Sequence, residues 1–273
     1  MKSTKLLYAS QDENGIVQDI QGYKPEGYNG EFGIVLPNIT FKGDFEEELA
    51  DQTFYDVPDA TEVPEMLAVD GKKGQQAGYK NLCFKGPNGR NDDYNAPGDS
   101  FWNEENPDEM KYTPAYYDCP QIRALIDWFQ CPLKRVRIFQ QQPGHYMDLH
   151  TDFDNQKGME LGQTVRIFVQ LNENNGDFHY RFKTSDSDIT VNLNKGQFLV
   201  FNQDKVAHAT KNSSETRVRN AFMFVAIRNE WLDNLMNHTN EPITVDCREL
   251  AKKYSNEVTL DDRIIEQKTT EIA

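Results

Sequence analysis

Short runs of alternating apolar and polar residues, separated by polar turns, occupy the chain from residue 134 to residue 227. Alternation with a period of two is typical of β-strands, because successive side chains point to opposite faces of a sheet. Turn segments such as "NENNGD" and "NLNKG" lie between the runs and are rich in Asn and Gly. The pattern predicts strands at 135–141, 145–152, 164–171, 178–183, 188–193, 197–202 and 216–227.

Two helical patterns flank these strands. Residues 120–130 are predicted as a short amphipathic helix, and residues 229–238 as a closing helix. The apolar positions of the first helix are spaced three and four residues apart: Ile122, Leu125, Ile126 and Phe129. Many strands without intervening helices are typical of an antiparallel sandwich or barrel. We therefore expect a mainly β protein with flanking helices, folded as a double-stranded β-helix (a jelly roll of the cupin-like type).

Composition divides the chain into three parts. Residues 1–118 are rich in Gly, Asn, Asp and Pro and are expected to form a strand- and loop-rich extension that packs on the core. In this part, residues 32–41 are predicted as an apolar strand pair and residues 85–100 as a long loop. Residues 119–238 are expected to form the jelly-roll core, and residues 239–273 a charged, partly helical C-terminal tail.

The 273 residues carry a formal net charge of −15 at pH 7. Such a surface repels duplex nucleic acid and anionic membranes, so neither is an expected partner. No apolar run approaches the roughly 18–20 residues that span a bilayer, and the first residues are too weakly apolar for a secretion signal. We therefore expect a cytoplasmic protein, in the host cytoplasm if the source is a virus. The cysteines lack zinc-like spacing and are expected to be reduced and partly buried: Cys83, Cys119, Cys131 and Cys247.

The stretch "GHYMDLHTDFD", residues 144–154, carries ionisable groups within a predicted strand. Strict alternation would place Tyr146, Asp148, His150 and Asp152 on one face and the apolar residues on the other. A strand needs such a polar face only where something binds. A histidine and a carboxylate two residues apart therefore suggest a metal site.

A second histidine would complete two imidazoles and one carboxylate around an ion, a set that suits non-haem Fe(II) and leaves three coordination positions open. His208 follows the strand predicted at 197–202 and lies 56 residues beyond Asp152. In an antiparallel sandwich, that separation allows the later strand to return beside the first. His150, Asp152 and His208 are therefore the candidate ligands of an Fe(II) centre at which catalysis would take place.

An open Fe(II) site needs an electron source. A dicarboxylate such as 2-oxoglutarate can chelate the metal through its 2-oxo acid end, while its far carboxylate needs a buried guanidinium. Arg217 and Arg219 lie nine and eleven residues after His208 and are both expected on one face of an apolar strand. Both arginines are candidates for that guanidinium, and Arg166 in "TVRIFVQL" is expected at the other end of the cosubstrate.

The residues from about 135 to 230 resemble the 2-oxoglutarate- and Fe(II)-dependent oxygenases, and most closely the aspartyl/asparaginyl β-hydroxylase branch. "PGHYMDLHTD" is similar to the first metal motif of that branch, with His150 and Asp152 as ligands. "VRIFVQLN" is similar to the following strand, whose arginine, here Arg166, helps to bind the cosubstrate. That strand carries Phe168 where the family commonly has a histidine.

The stretch "KGQFLVFNQDKVAHATKNSSETRVR" extends the resemblance. Gly196 and Phe201 match the family's Gly-x-x-x-x-Phe strand, and His208 matches its second metal histidine. The family pattern favours Arg217 as the closing arginine, with Arg219 as the alternative. The resemblance implies Fe(II), 2-oxoglutarate and O2 as cofactors, with oxidative decarboxylation of 2-oxoglutarate to succinate coupled to hydroxylation of a C–H bond.

Two other classes of protein compete with this interpretation. One is a cupin-like metal-binding jelly roll whose chemistry does not use 2-oxoglutarate. The other is a non-catalytic binding module, whose function would survive the substitution His208→Ala. If the oxygenase interpretation holds, the substrate is a protein, a peptide, an amino-acid side chain or a small molecule, because fold and metal site do not determine the substrate. The sequence predicts no oligomeric state.

Overall fold

The structure is a computed structural model that describes residues 10–11, 17–19, 34–57, 66–68, 78–93, 110–152, 164–183, 188–202, 206–236 and 242–254, with backbone alone at 10–11, 17–19, 66–68 and 151–152. The strands are β1 (Ser10–Gln11), β2 (Val17–Asp19), β3 (Ile34–Val35), β4 (Ile39–Lys42), β5 (Tyr55–Asp56), β6 (Met66–Ala68), β7 (Tyr79–Gly86), β8 (Lys111–Tyr112), β9 (Leu133–Gln141), β10 (Tyr146–Asp152), β11 (Thr164–Gln170), β12 (Phe178–Lys183), β13 (Asp188–Val191), β14 (Phe198–Phe201), β15 (Ala207–Asn212), β16 (Arg219–Ile227) and β17 (Ile243–Asp246). The helices are α1 (Phe45–Ala50), α2 (Pro114–Asp118), α3 (Pro120–Trp128), α4 (Glu230–Met236) and α5 (Cys247–Ala251), and a 3-10 helix follows at Lys252–Tyr254. Not one of these described helices has the length and apolar character required to cross a membrane.

Two antiparallel sheets contain most of the strands. The large sheet has the order β3-β14-β11-β16-β9-β7-β5, with β8 joined to β7, and the small sheet has the order β13-β12-β15-β10-β6. From β9 to β16 the chain passes repeatedly from one sheet to the other, as the strands of a jelly roll do. The predicted fold class, mainly β with flanking helices and a cupin-like jelly roll, is confirmed. Outside these sheets, β1 pairs with β2, and β17 lies parallel to β4.

The helices cover one face of the large sheet. Phe129, just after α3, lies 5.1 Å from Phe224 and 5.7 Å from Phe198, measured between ring centroids. Trp128 of α3 lies 5.3 Å from Trp231 of α4, so the two helices contact each other over the sheet. Burial of these large apolar rings is the main stabilising term for this layer. The opposite face of the large sheet is left to meet the small sheet.

The start of α3 is completed by a side chain from α1. Cys119, which precedes the helix, makes no side-chain hydrogen bond to it, and Pro120 occupies the first helical turn. Glu48 instead accepts hydrogen bonds from the backbone N–H groups of Gln121 (2.7 Å) and Ile122 (3.0 Å). Two of the N–H groups that a helix start leaves without internal partners are thereby satisfied. Burial raises the pKa of Glu48.

Two strands near the middle of the sheets were not predicted. β7 pairs with β9 in the large sheet, and β15 lies between β10 and β12 in the small sheet. The β15 sequence "AHATKN" has small and polar residues and no apolar alternation, so its strand character comes from pairing on both sides. Residues 85–86 belong to β7, so the loop predicted at 85–100 was wrong at its start.

The described part of residues 1–118 contributes strands to the large sheet. β3 pairs with β14, and β5 pairs with β7. Strands from both sides of residue 118 therefore share one sheet, while the division of the chain into three parts stays a prediction. The four cysteines, which were predicted to be reduced and partly buried, form no disulfide and are all buried.

Candidate metal and cosubstrate site

Two histidines lie directly opposite each other in the small sheet. His150 of β10 pairs with His208 of β15, and their ring centroids are 4.3 Å apart. Both are buried, with 1% and 3% of their surface exposed. His150 Nδ1 lies 2.7 Å from the Asp148 carbonyl oxygen, and because a carbonyl only accepts, Nδ1 donates the proton. In the neutral ring, Nε2 then carries the lone pair that a metal needs.

A bulge in β10 changes which side chains share the histidine face. Met147 lies opposite Thr210 and His150 opposite His208, with a register shift between Met147 and His150. Because cross-strand partners point to the same face, Met147 and His150 share a face although they are three residues apart. Strict alternation had placed Tyr146 on this face. That prediction was wrong, and Tyr146 is 40% exposed.

The predicted carboxylate ligand is described only by its backbone. Asp152 lies in β10 two residues after His150 and pairs with Met66 of β6. Its side chain lies outside the described residues. Within the part of the chain that the structure describes, no group of three or more His, Cys, Asp or Glu side chains forms a metal site. The structure thus brings two of the three predicted ligands together, and Asp152 as the third stays a prediction.

Arg219 is a buried cation at the start of β16. It is 2% exposed and lies opposite Gln141 of β9. Its Nη1 donates to Gln141 Oε1 (3.1 Å), its Nε lies 3.4 Å from Gln170 Oε1, and its Cζ lies 3.9 Å above the Tyr180 ring. Among the described residues no carboxylate pairs with it. Its Nη2 and the Tyr180 hydroxyl are both buried and lack a hydrogen-bond partner within the described residues.

Gln141 holds this guanidinium in place. Its Nε2 donates to the Tyr79 hydroxyl (2.6 Å) and to the His145 carbonyl oxygen (3.0 Å), so its Oε1 is directed at Arg219. The Tyr79 hydroxyl in turn lies 2.6 Å from Thr210 Oγ1 on the small sheet. The network therefore links the two sheets and fixes the orientation of the buried cation.

Burial raises the pKa of the two phenols of this region above the ordinary value. It raises the pKa of Tyr79 to about 12, and it also raises the pKa of Tyr180 against the opposing effect of the nearby Arg219 charge. Both hydroxyls are therefore neutral near pH 7. The Tyr180 hydroxyl can donate a hydrogen bond to an anion beside Arg219.

Arg217 occupies a different environment from Arg219. It precedes β16, and its side chain is 32% exposed and forms an ion pair with Asp177. Its Nη1 donates to the Glu173 carbonyl oxygen (3.0 Å), and its Cζ lies 5.1 Å from the Phe178 ring centroid. The two arginines do not share one strand face, because β16 begins only at Arg219. The sequence offered both arginines for the far carboxylate of the cosubstrate, a role that needs a buried guanidinium. Of the two, Arg219 is the buried one.

Arg166 lies on β11 and is 4% exposed, and its Nη1 is 2.6 Å from Met223 Sδ. It lies opposite Phe201, whose ring centroid is 4.7 Å from that of His208. Arg166 therefore belongs to the part of the sheet next to the histidine pair. Phe168, two residues further on, is 6.4 Å from His208 and fills the position where the resembled family commonly has a histidine.

The sequence interpretation missed two tyrosines of the site. Tyr180 lies in "FHYRFK", where alternation places Phe178, Tyr180 and Phe182 on one buried face with a single hydroxyl among them. A single hydroxyl on an otherwise apolar face could have marked Tyr180 as a candidate site residue. Tyr79 lies at the start of β7, which was not predicted, so no signal pointed to it.

Comparisons with known proteins give likeness of fold. No family model matches this sequence, and no curated protein matches it. A prolyl-4-hydroxylase from Pseudomonas putida is 18% identical over 41% of this chain and 66% of its own, with a TM-score of 0.32. A 2OG-Fe(II) oxygenase family oxidoreductase from Burkholderia pseudomallei is 10% identical over 67% of this chain and 77% of its own, with a TM-score of 0.36. A cupin domain from Bordetella pertussis is 13% identical over 34% of this chain and 81% of its own, with a TM-score of 0.25.

Proposed function

We propose that the protein is an Fe(II)- and 2-oxoglutarate-dependent dioxygenase that hydroxylates a C–H bond of a protein, peptide or small-molecule substrate. The observation that carries the proposal is the buried Arg219. Its Nη2 and the adjacent Tyr180 hydroxyl lack partners among the described residues, in the same jelly roll that holds the His150–His208 pair. Buried charges in proteins are usually paired, so a buried guanidinium without a carboxylate is suited to an anionic ligand.

His150, Asp152 and His208 would hold the metal. The hydrogen bond from His150 Nδ1 to the Asp148 carbonyl fixes the ring orientation and leaves Nε2 for coordination. Two imidazoles and a carboxylate are the ligand set of non-haem Fe(II) enzymes, and they leave positions open for a chelating cosubstrate and O2. When bound, Fe(II) with 2-oxoglutarate and O2 supplies the oxidising power for hydroxylation, with succinate and CO2 as coproducts.

Arg219 and Tyr180 would bind the far carboxylate of 2-oxoglutarate. The guanidinium supplies the charge, the neutral phenol supplies a second donor, and Gln141 holds the guanidinium in position. Arg217 forms an ion pair with Asp177 in a partly exposed position and would not contact the cosubstrate. Arg166, near Phe201 and His208, would face the other end of the cosubstrate.

The test is an anaerobic titration of the apo-protein with Fe(II) and then with 2-oxoglutarate, followed by the visible charge-transfer band of the chelate. We expect the band in the wild-type protein and its loss in His208→Ala. His179→Ala is the matched control, since His179 also lies on a strand of the small sheet, where it lies opposite the exposed Lys211 and its ring is held by Asn192 (2.9 Å). The control should titrate as the wild type does.

Each other outcome selects a different class of protein. If the wild type binds Fe(II) but 2-oxoglutarate produces no band, the cupin-like alternative replaces the dioxygenase. If neither ligand binds, the histidine pair is structural and the proposal is wrong. Succinate formation in the presence of O2, with candidate substrates added one by one, would then identify the substrate of a protein that passes the first test.

A further inference from the structure

Three neighbouring side chains that point into the jelly roll are only half-buried. Thr210 points inward, because its Oγ1 lies 2.6 Å from the Tyr79 hydroxyl on the other sheet. Met147 is the cross-strand partner of Thr210 and therefore shares its face. Phe139 lies two residues before Gln141 on β9, so it points to the same inward face as Gln141. We call Phe139, Thr210 and Met147 the apolar opening.

The three side chains form a continuous set across the gap between the sheets. The Phe139 ring centroid lies 5.6 Å from that of Tyr79, whose hydroxyl contacts Thr210. Thr210 in turn lies opposite Met147. Inward-facing side chains of two packed sheets normally form the buried core, and they stay in contact with water only where that core ends. The described residues therefore leave the interior open to solvent at this point.

The histidine pair lies between this opening and a closed wall of aromatic rings. His150 and His208 form the cross-strand pair that follows Met147 and Thr210 along β10 and β15. On the other side, Phe182 of β12 is the partner of His208, and the Phe201 ring centroid lies 4.7 Å from that of His208. Both of these rings are 0% exposed. The described residues thus leave a route from solvent to the histidine pair past the apolar opening and block it at the aromatic wall.

The lining of the opening is apolar. Phe139 supplies a ring and Met147 a flexible thioether, while the Thr210 hydroxyl is already bonded to Tyr79. The Arg137 guanidinium lies 4.3 Å from the Phe139 ring centroid, but Arg137 is 6% exposed and adds little surface to the opening. Apolar surface in contact with water is stabilised when another apolar group covers it.

We propose that Phe139 and Met147 select the substrate by binding an apolar group, aliphatic or aromatic, that lies next to the reacting C–H bond. The inference rests on the proposed dioxygenase function, because it names the substrate class of that same site. A charged or strongly polar group is disfavoured at this place, because a ring and a thioether offer it poor hydrogen-bond partners when it is buried.

The first test measures whether Met147 is in contact with solvent. The metal-free protein is treated with dilute hydrogen peroxide in the presence of a chelator, and methionine sulfoxide is located by peptide mass mapping. We expect Met147 to be oxidised about tenfold faster, or more, than Met223 and Met236, which are 1% and 0% exposed. Equal rates would show that the opening is closed in solution and would overturn the inference.

The second test uses protection of Met147 from peroxide to measure what binds beside it. N-acetyl-leucinamide and N-acetyl-asparaginamide have side chains of the same shape, one apolar and one polar. We expect half-protection by the leucine probe at a concentration about tenfold lower than by the asparagine probe. Phe139→Gln should reduce this preference to about twofold or less, because it places an amide in the opening.

Ile189→Gln is the matched control and should keep the wild-type preference. Ile189 is also half-buried and points inward, since it is the partner of Phe182, but its strand β13 lies three strands away from β10 in the small sheet. Equal protection of the wild type by the leucine and asparagine probes would overturn the inference. An equal loss of preference in Phe139→Gln and Ile189→Gln would also overturn it.

A third probe, 3-methylbutanol, carries an aliphatic group like that of leucine without the peptide groups. Protection by this alcohol as well as by the leucine probe indicates that the apolar group belongs to a small molecule. Protection by the leucine probe alone indicates that the group belongs to a polypeptide. If neither apolar probe protects Met147, the inference is wrong.

A fourth measurement separates the substrate from the cosubstrate. Zn(II) has no redox chemistry, so it can occupy the histidine pair during peroxide treatment. Glutarate supplies the two carboxylates of 2-oxoglutarate without the 2-oxo group that peroxide attacks. With both present at saturation, the leucine probe should protect Met147 at about the same concentration as before, because it occupies a separate place. Protection of Met147 by glutarate alone would assign the opening to the cosubstrate and overturn the inference.

The outcomes are independent of the test of the proposed function, because protection from peroxide needs neither Fe(II) nor O2. An apolar preference that depends on Phe139, in a protein that gives no charge-transfer band, supports the apolar site and refutes the dioxygenase. A protein that gives the band but shows no apolar preference refutes this inference alone. If Phe139→Gln does not fold, Phe139→Tyr replaces it, because tyrosine keeps the ring and adds only a hydroxyl, and a weaker preference is again expected.

Discussion

Replacement of Arg219 by methionine is the sharpest perturbation that the structure offers. Methionine keeps much of the length of the side chain and removes the charge and the hydrogen bonds to Gln141 and Gln170. Because Arg219 is 2% exposed and has no carboxylate partner among the described residues, its charge is a cost in the ligand-free protein. We therefore expect the ligand-free variant to unfold within about 1 kcal/mol of the wild type.

Binding of 2-oxoglutarate should respond very differently. Loss of one partner of a buried, hydrogen-bonded charge pair costs about 2–5 kcal/mol. A central value of about 3 kcal/mol corresponds to roughly 100-fold weaker binding. Arg217 is the control, because its side chain is 32% exposed and forms an ion pair with Asp177. An exposed ion pair contributes about 0–1 kcal/mol to stability, and Arg217→Met should leave the 2-oxoglutarate affinity within about twofold.

Two assays measure this difference. The anaerobic charge-transfer band gives the 2-oxoglutarate concentration at half-saturation for each variant. Thermal or urea unfolding in the presence of Fe(II) gives an independent value, since a ligand at about 100 times its Kd stabilises the folded state by about 2.7 kcal/mol. The same concentration would stabilise Arg219→Met by only about 0.4 kcal/mol. Equal affinities of Arg219→Met and wild type, or a large loss in Arg217→Met alone, would refute the assignment of the cosubstrate carboxylate to Arg219.

Three further predictions concern the fold. Burial raises the pKa of Glu48, so its contribution to the free energy of unfolding is present below its ordinary pKa of 4.5 and is lost as pH rises through the higher folded value. The free energy of unfolding of the wild type minus that of Glu48→Gln, both measured in urea, should therefore decrease from about pH 4 to about pH 7. An increase would contradict the direction of this pKa shift. A Cβ at Gly196 (φ +80°) would lie 1.9 Å from the Phe41 carbonyl oxygen, so Gly196→Ala should lose about 3 kcal/mol or more. Gly176→Ala, at φ +89° with open space around the new Cβ, should lose only about 1 kcal/mol, and equal losses would show that the contact is relieved easily. Cys131, whose pKa burial raises to about 12, should react with iodoacetamide only after unfolding, together with the other three cysteines, and a thiol that reacts in the native protein would contradict their burial.

The local pattern of apolar and polar residues was sufficient to predict the strands and the helix that show such a pattern in their own sequence. The strands β9, β11 and β12 alternate or are continuously apolar, and the predicted bounds agree with the observed ones within two residues. The amphipathic helix α3 has its predicted apolar positions buried against the large sheet. The strand β15 escaped prediction because its small and polar residues become a strand only through hydrogen bonds to β10 and β12.

The candidate site shows the same division between local and long-range information. The spacing of His150, Asp152 and His208 was readable from the sequence, because it depends on residue types and on their distance along the chain. The choice between Arg217 and Arg219 was not readable, because it depends on where β16 begins and on which guanidinium the Gln141 amide and the Asp177 carboxylate engage. Those contacts join residues 40 to 78 positions apart.

The sequence by itself determined the class of fold, and it predicted which residues would bind a metal and that a buried cation would be needed. Each of these follows from local alternation or from the chemistry of single side chains. Only the tertiary structure decided that a bulge in β10 places Met147 on the same sheet face as His150, and that Arg219 is buried while Arg217 pairs with Asp177. These features arise from strand register and burial, and register is fixed by pairing between distant segments of the chain.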